Sequence, residues 1–302
     1  MARTKNRKPA RPNKHRETKS NRAGERRLLR TVVVLMVLAV VISLLVTRTG
    51  RLLKYIRDVP APRHSATEPP TPEKAPSQTD ARPVRVAIVI DDLGTDPKAL
   101  NAILELDAPV SVAVLPQLPR SAETASRALS AGRDVLLHLP MQPRGGSDRG
   151  LGPGAIKEGM DGDAIRDTLA KDLSTVPGAV GVNNHMGSAV TEEMVPMEAV
   201  MDVLGRRGLF FLDSKTSSSS EAVAAAREKG VRVSARDVFL DNVDDPAAIK
   251  GQFERMVELA KRNGDAIAIG HPRPATLSVL KKELPALAAR GVKVVGISKL
   301  VR

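Results

Sequence analysis

Short apolar runs alternate with amphipathic segments along the chain from residue 84 onward. The apolar runs have the length and β-branched content of buried strands. They lie at 85–90, 110–115, 134–139, 179–183, 208–212, 231–235 (extending towards Phe239), 265–270 and 292–297. Seven or eight such β/α units in about 220 residues predict a parallel α/β fold, either an incomplete barrel or a doubly wound sheet. No Gly-x-Gly-x-x-Gly motif follows the first run, so a dinucleotide cofactor is not favoured.

Helical patterns fill most intervals between these runs. Predicted helices cover 97–106, Ser121 to Gly132, Asp161 to Pro177, 219–229, 246–263 and 276–290. Ser218 and Glu221 form a capping-box pattern at the start of the fourth helix. Pro285 predicts a kink in the last helix, because proline removes a backbone donor.

Residues 31–47 form an apolar stretch without a charged residue, between Arg30 and Arg48. A helix of this length spans about 26 Å, which is just enough for a thin bilayer. We interpret the stretch as an uncleaved transmembrane anchor. A cleaved signal peptide is the alternative, although no Ala-x-Ala-like site follows the stretch.

Basic charge is concentrated before this stretch. The chain has a formal net charge of +13; residues 1–30 carry 12 Lys and Arg against 2 Glu, whereas residues 84–302 carry 28 basic and 28 acidic residues. The positive-inside rule therefore places the leader 1–30 in the cytoplasm and the rest of the chain on the other side of the membrane. The leader has no aromatic residue, which disfavours nucleic-acid binding. Residues 48–83 are a Pro-rich linker, so the domain covers 84–302.

Residues capable of metal binding or acid–base chemistry follow the apolar runs, where parallel strands end at a common edge. These strand-end residues are Asp91, Asp92, His138, Asn183, Asn184, His185, Asp213, Asp237, Asp241 and His271. All three histidines of the domain belong to this set, and the chain has no cysteine. We interpret Asp237 and Asp241 as loop or helix-entry residues. Asp213 is either a turn residue or a carboxylate that supports a catalytic group.

Two histidines and one carboxylate from three strands are typical of a divalent metal site with open coordination positions. A metal held by a single negative charge remains a strong Lewis acid and acidifies bound water. A neighbouring aspartate can then accept the proton of that water. Adjacent residues of an extended strand point to opposite sides, so Asp91 and Asp92 are expected to have different roles, one on the metal and the other towards the substrate.

Five segments resemble the motifs of the divergent polysaccharide deacetylase family, within the NodB-like carbohydrate esterase superfamily. They are Ile-Asp91-Asp92-Leu-Gly, His138-Leu-Pro-Met, Asn-Asn-His185-Met-Gly-Ser, Leu-Asp213-Ser-Lys and Ile-Gly-His271-Pro, spread over residues 84–302. The resemblance implies a distorted or incomplete parallel β/α barrel of seven to eight strands. It also implies a metal-dependent hydrolase that removes N-acyl groups, chiefly acetyl groups, from cell-envelope carbohydrate.

The resemblance further implies a role for each strand-end residue. Asp91 is expected to be the base, and His271 to assist the leaving group or the oxyanion. The expected metal ligands are Asp92, His138 and His185, with zinc as the preferred divalent metal. Asn184 and Asp213 are candidates for residues that support these groups, and a turn role remains the alternative for Asp213.

Two features narrow the expected substrate. The Arg-Pro-Pro-Tyr-like segment of the main deacetylase branch is absent, and residues 84–302 contain neither Trp nor Tyr to stack on sugar rings. We therefore expect a short glycan, an amino sugar or another acylated small substrate. Two alternatives remain open: a catalytically weak or inactive periplasmic binding or regulatory module, and a hydrolase of non-sugar amides or esters. The Gly-rich stretch 144–150 is predicted as a loop over the site, either simply flexible or gating the substrate.

Overall fold

The computed structural model describes residues 83–146 and 148–302. The predicted leader 1–30, the predicted anchor 31–47 and nearly all of the predicted linker 48–83 lie outside these residues. Among the described residues, no helix is both long enough and apolar enough to cross a membrane.

Strands and helices alternate through the described part of the chain. In order they are β1 (Val84–Leu93), α1 (Pro97–Leu104), β2 (Ser111–Val114), α2 (Ser121–Ser130), β3 (Val135–Met141), α3 (Gly162–Thr175), β4 (Gly181–Met186), α4 (Met194–Arg207), β5 (Phe210–Asp213), α5 (Ala222–Glu228), β6 (Val233–Ala235), β7 (Val238–Phe239), α6 (Pro246–Asn263), β8 (Asp265–Gly270), α7 (Pro274–Glu283) and β9 (Val292–Val294). Single 3₁₀ turns lie at Val190–Glu192, Leu284–Ala286, Ala288–Arg290 and Ile297–Lys299.

All strand pairs are parallel, in the order β6-β5-β4-β3-β2-β1-β8-β7, and β9 pairs with the start of β1. The two outermost strands of this path, β6 and β7, are separated in the chain only by Arg236 and Asp237. The backbone N–H of Arg236 donates to the carbonyl of Asp213 in β5, close to one end of the strand order. The backbone N–H of Asp237 donates to the carbonyl of Ile267 in β8, close to the other end. The result is a parallel half-barrel of eight strands, consistent with the predicted distorted barrel, with β9 added beside it.

Alternate residues of β1 pack into two different cores. Val86 and Ile88 belong to the larger core, which also contains the buried faces of the helices. Ala87 and Val89 belong to a smaller core on the other side of the sheet, which residues 297–301 complete. Because both faces of the strand are buried, its sequence is a continuous apolar run rather than an alternating one.

The predicted helices differ from the observed ones mainly at their ends. Helix α6 matches its prediction at both ends, and the Asp245 side chain accepts a hydrogen bond from the N–H of Ala248 at 2.8 Å. Helix α7 ends at Glu283, and only 3₁₀ turns continue through Pro285, so the proline follows the end of the helix instead of kinking a helix that continues to residue 290. Helix α4 has no counterpart among the predicted helices.

The capping-box prediction is wrong. Helix α5 begins only at Ala222, and no side chain caps it. The backbone N–H of Glu221 instead donates to the carbonyl of Thr191, at 2.7 Å. This tertiary contact holds the preceding residues out of the helix, which a local sequence pattern does not reveal.

One carboxyl group of the fold is buried without full hydrogen bonding. Asp172 of α3 is fully buried; its Oδ1 accepts a hydrogen bond from Gln117 Nε2 at 2.7 Å, and its Oδ2 has no partner among the described residues. Gly154 lies so close that a Cβ at this position would be 2.1 Å from Oδ1. Burial raises the pKa of Asp172 to about 7, although Gln117 and Lys171 oppose the shift. The folded protein therefore favours the neutral acid.

We expect Asp172→Asn to stabilise the protein at alkaline pH. An unfolded aspartate titrates near pH 3.9, so the folded wild type loses stability as the pH rises from about 4 to about 7, at about 1.4 kcal/mol per pH unit. Asparagine does not ionise, and the variant should exceed the wild type by about 2–4 kcal/mol at pH 8 and match it near pH 4. Urea unfolding at pH 4, 6 and 8 measures this, with the exposed Asp167→Asn on the same helix as control. A stability difference that does not change with pH would contradict the assignment.

Candidate metal centre

The strand ends of the half-barrel surround an open pocket of about 500 Å³. Its lining residues are Asp91, Asp92, His138, Asn184, His185, Met186, Ser214, Lys215, Thr216, Arg236, Phe239, Asn242, Ile269 and His271. The structure thus brings together all five residues with a predicted metal or catalytic role, from β1, β3, β4 and the residue after β8.

Three atoms of the predicted ligands converge on one point of this pocket. Asp92 Oδ1 lies 3.1 Å from His138 Nε2 and 3.0 Å from His185 Nδ1. The two ring nitrogens are 3.1 Å apart. Ligand atoms around a tetrahedral zinc ion, at bond lengths of about 2.0–2.1 Å, are separated by about 3.3 Å. The spacing of the three atoms is therefore close to that of three ligands of one ion.

The hydrogen bonds behind the two histidines assign their tautomers. The Asp91 carboxylate accepts a hydrogen bond from Asn183 Nδ2 at 2.9 Å, so Asn183 Oδ1 must face His138 Nδ1, at 3.0 Å, and accept its proton. The carbonyl of Gly150 lies 3.0 Å from His185 Nε2 and can only accept a hydrogen bond. In the neutral rings the unprotonated nitrogens are therefore His138 Nε2 and His185 Nδ1, the two that face Asp92.

This arrangement fits a cation. Two imidazole lone pairs and a carboxylate oxygen point at one another, and Asp92 Oδ1 is buried without a hydrogen-bond donor of suitable geometry among the described residues. Three acceptors this close repel one another unless a positive ion lies between them. Asp92, His138 and His185 are accordingly the residues that could hold a metal.

The charges of this cluster are strongly coupled. Burial by itself would lower the pKa of His138, but the carboxylates of Asp91 and Asp92 raise it to about 8. Burial would likewise raise the pKa of Asp92, but the adjacent imidazoles of His138 and His185 hold it well below its usual range. Without a metal, a proton on one histidine takes the place of the missing positive charge.

The backbone is irregular at Asp92. Its φ is 59°, in the left-handed region that residues other than glycine rarely adopt, and the pairing of β1 with β2 shifts register between Ile90 and Leu93. This irregularity breaks the alternation of the strand, and both Asp91 and Asp92 line the pocket. The expectation that the two side chains point to opposite sides is therefore wrong, although their contacts differ.

Asp91 lies deeper in the pocket than Asp92. It is 3% exposed, and its Oδ2 is 3.7 Å from His138 Nε2, beyond hydrogen-bond distance. Burial raises its pKa, and the neighbouring His138 and the hydrogen bond from Asn183 oppose the rise. A carboxylate with a raised pKa and one oxygen free of strong donors has the properties of a general base.

His271 stands on the opposite wall of the pocket, supported by Asp241. Its Nδ1 lies 2.9 Å from Asp241 Oδ1, and its Nε2 lies 3.6 Å from Asp92 Oδ2. The Asp241 carboxylate is fully buried, and its Oδ2 also accepts hydrogen bonds from the His271 backbone N–H and from Thr276 Oγ1. Burial by itself would lower the pKa of His271, but the hydrogen bond to Asp241 raises it. The interpretation of Asp241 as a loop residue missed this contact.

Asn184 joins the ends of β4 and β5, and Asp213 stabilises its own turn after β5. Asn184 Oδ1 accepts a hydrogen bond from the N–H of Ser214 at 2.8 Å, and Asp213 Oδ1 accepts one from the N–H of Lys215, in its own turn. The residue that supports His138 is Asn183 instead. Residues 183 and 185 lie on the same side of β4 and residue 184 on the other, so strict alternation along the strand would have indicated Asn183.

The predicted loop over the site contacts the cluster through its backbone. The chain after β3 is held by hydrogen bonds from the Gln142 N–H to the Ile156 carbonyl and from the Ile156 N–H to the Pro140 carbonyl, both 2.9 Å. The Gly150 carbonyl then reaches His185. No sequence signal identifies this contact, because a carbonyl is present at every residue.

Comparisons with known proteins show what this chain is similar to. A family model described as divergent polysaccharide deacetylase matches residues 88–301. The uncharacterized protein YibQ of Escherichia coli strain K12 is 44% identical over 198 residues, which cover 66% of this chain and 61% of YibQ. An uncharacterized protein of Haemophilus influenzae strain Rd is 39% identical over 218 residues, covering 72% of this chain and 77% of that protein.

A solved structure gives the same result for the fold. The uncharacterized protein ATU2773 from Agrobacterium tumefaciens C58 superposes with a TM-score of 0.69 at 27% sequence identity, over 74% of this chain and 91% of ATU2773. The family match extends from the first strand to the last residues of the domain and includes every residue of the cluster. The chain therefore belongs to the divergent polysaccharide deacetylase family.

Proposed function

We propose that this protein is a metal-dependent hydrolase that removes N-acyl groups, chiefly acetyl groups, from cell-envelope carbohydrate. One observation carries the proposal: two histidines turn their unprotonated nitrogens towards one carboxylate, directly beside a second, buried carboxylate. The first three groups suit a metal and the fourth suits a base. Membership of a family named for polysaccharide deacetylation supports an acetylated carbohydrate as substrate.

Asp92, His138 and His185 would hold the metal. We propose zinc, because two imidazoles and one carboxylate form a ligand set that zinc commonly accepts. A divalent ion there would polarise the acyl carbonyl and lower the pKa of bound water. Asn183 and the Gly150 carbonyl keep both histidines in the tautomers that this role requires.

Asp91 would act as the general base. Asn183 occupies its Oδ1, which leaves Oδ2 to accept the proton of the attacking water. The pKa of Asp91 is raised towards neutral pH, which makes this carboxylate a stronger base than an ordinary aspartate. The hydroxyl of that water would then add to the carbonyl carbon of the substrate amide.

His271 would donate the proton that the leaving amine needs. Asp241 accepts the Nδ1–H of His271, so Nε2 is the nitrogen that faces the pocket. Breakage of the C–N bond then releases the carboxylic acid and the free amine. The two protons that the reaction moves are thus handled on opposite walls of the pocket.

We further propose that residues 31–47 anchor the domain to the bacterial plasma membrane, with the leader in the cytoplasm and the domain outside. The support is the uncharged stretch and the 12 basic residues that precede it. The Pro-rich linker would then extend the domain towards envelope carbohydrate.

Metal analysis and acetate release from the purified full-length protein test the proposal. We expect about one divalent ion per chain, acetate release from N-acetylated glucosamine oligomers, loss of activity with a chelator, and its return with zinc. A folded wild type that binds no divalent ion would overturn the mechanism. Bound metal without turnover of any acetylated glycan or small acyl-amide would instead favour the binding or regulatory module.

A further inference from the structure

Two cationic side chains share the pocket with the metal cluster. Lys215 follows β5, and Arg236 connects β6 to β7, so both lie on the wall between His185 and His271. The proposed deacetylation requires neither of them. Within residues 83–146 and 148–302, neither side chain forms an ion pair.

Arg236 is oriented by hydrogen bonds and makes no direct ion pair among the described residues, although three nearby carboxylates act on its charge from beyond ion-pair distance. Its Nε donates to the carbonyl of Ser214 at 2.8 Å and its Nη2 to the carbonyl of Lys215 at 3.2 Å. Its guanidinium carbon lies 4.8 Å from the centre of the Phe239 ring. Carbonyl oxygens and an aromatic face orient a guanidinium group, but they supply no negative charge. The half-buried group therefore keeps its ability to bind an anion.

Lys215 occupies a position where lysine is costly. Its φ is 50°, a left-handed conformation that glycine or asparagine adopts more readily. The Asp213 carboxylate maintains this turn by accepting the Lys215 N–H at 2.8 Å. The backbone conformation therefore does not account for a lysine at this position, which lines the pocket.

Both cations line the pocket that holds the reacting groups. The Phe239 ring lies between Arg236 and His271, with 5.4 Å between the centres of the Phe239 and His271 rings. The two carboxylates of the lining belong to the cluster with the histidines, whereas Lys215 and Arg236 lie on a different wall. That wall can attract an anionic group of the substrate.

We propose that Lys215 and Arg236 form a subsite for an anionic substituent, a carboxylate or a phosphate ester, on the acylated sugar. The inference rests on the proposed function and adds to it that the substrate is an acidic N-acyl amino sugar. It also explains how the pocket can select a sugar although the chain has no Trp and its only Tyr, Tyr55, lies in the linker. Charge takes the place of aromatic stacking.

Three acetamido sugars test this on the full-length protein: N-acetylglucosamine, N-acetylmuramic acid, which adds a lactyl carboxylate, and N-acetylglucosamine 6-phosphate. Calorimetric binding with and without added zinc, and kcat/KM for acetate release, are compared. We expect at least one acidic sugar to bind about tenfold tighter than the neutral one, because charged hydrogen bonds commonly contribute that much. Whichever acidic sugar is preferred identifies the anion.

The variants give the decisive comparison. Lys215→Gln should reduce the acidic-to-neutral ratio to about threefold or less, and Lys215→Glu should reverse it. Lys281→Gln, a change at a lysine that is 73% exposed and outside the pocket, should leave the ratio unchanged. Equal binding of acidic and neutral sugars by the wild type, or an unchanged ratio in Lys215→Glu, would overturn the subsite. A binding preference without acetate release would retain the subsite and reject the proposed function.

Discussion

Replacing Asp92 or His138 with alanine is expected to remove the metal from the protein, whereas Asp91→Asn should keep the metal and lose turnover. The first two residues supply atoms of the three-atom cluster, and Asp91 does not. Loss of even a supporting group behind a metal ligand weakens metal binding about 10–100-fold, so loss of a ligand should exceed about 100-fold. Loss of a general base lowers kcat by about 10²–10⁴-fold.

Metal content by mass spectrometry and acetate release, measured on the same preparations, separate the two classes. Asparagine can still accept the Asn183 hydrogen bond through its Oδ1, so Asp91→Asn should remain folded. His64→Ala, which removes a histidine of the predicted linker, is the matched control and should change neither quantity. Equal metal loss in Asp91→Asn and Asp92→Ala would show that the two aspartates do not divide their roles.

Replacing His271 is expected to produce the second large effect. His271→Ala should lower kcat by about 10²–10⁴-fold with the metal retained, because the leaving amine loses its proton donor. Asp241→Asn should lower kcat less than His271→Ala does, and it should also shift the pH dependence of kcat. The Asp241 carboxylate raises the pKa of His271, so its removal lowers that pKa.

The sign of the pH effect follows from the role of His271. A general acid must be protonated, so activity falls as the pH rises through its pKa. The alkaline limb of kcat in Asp241→Asn should therefore move to lower pH than in the wild type. Asp237→Asn is the control, because Asp237 accepts the N–H of Ile267 instead of contacting His271. An unshifted limb in Asp241→Asn would contradict the assignment of His271 as the acid.

Apolar periodicity was sufficient to locate the strands, because both faces of strands such as β1 are buried and produce continuous apolar runs. Once parallel strands are located, their carboxyl ends must meet at one edge, which brought Asp91, His138 and His185 into one predicted site. Helix ends were predictable where the signal was local, as at Asp245. They were not predictable at Glu221, where a hydrogen bond to Thr191 decides the start of the helix.

The sequence alone was also sufficient to identify the family, because the order and spacing of the five motifs can be read directly along the chain. The sharper chemistry depended on contacts between distant residues. The tautomer of His138 follows from Asn183, 45 residues away, and that of His185 from a carbonyl 35 residues away. The pairing of Lys215 with Arg236 follows from hydrogen bonds that Arg236 donates to the turn after β5, from 21 and 22 residues further along the chain. Periodicity encodes which face of a strand a residue occupies, but a proton's position depends on the atom opposite it, and only the folded chain specifies that atom.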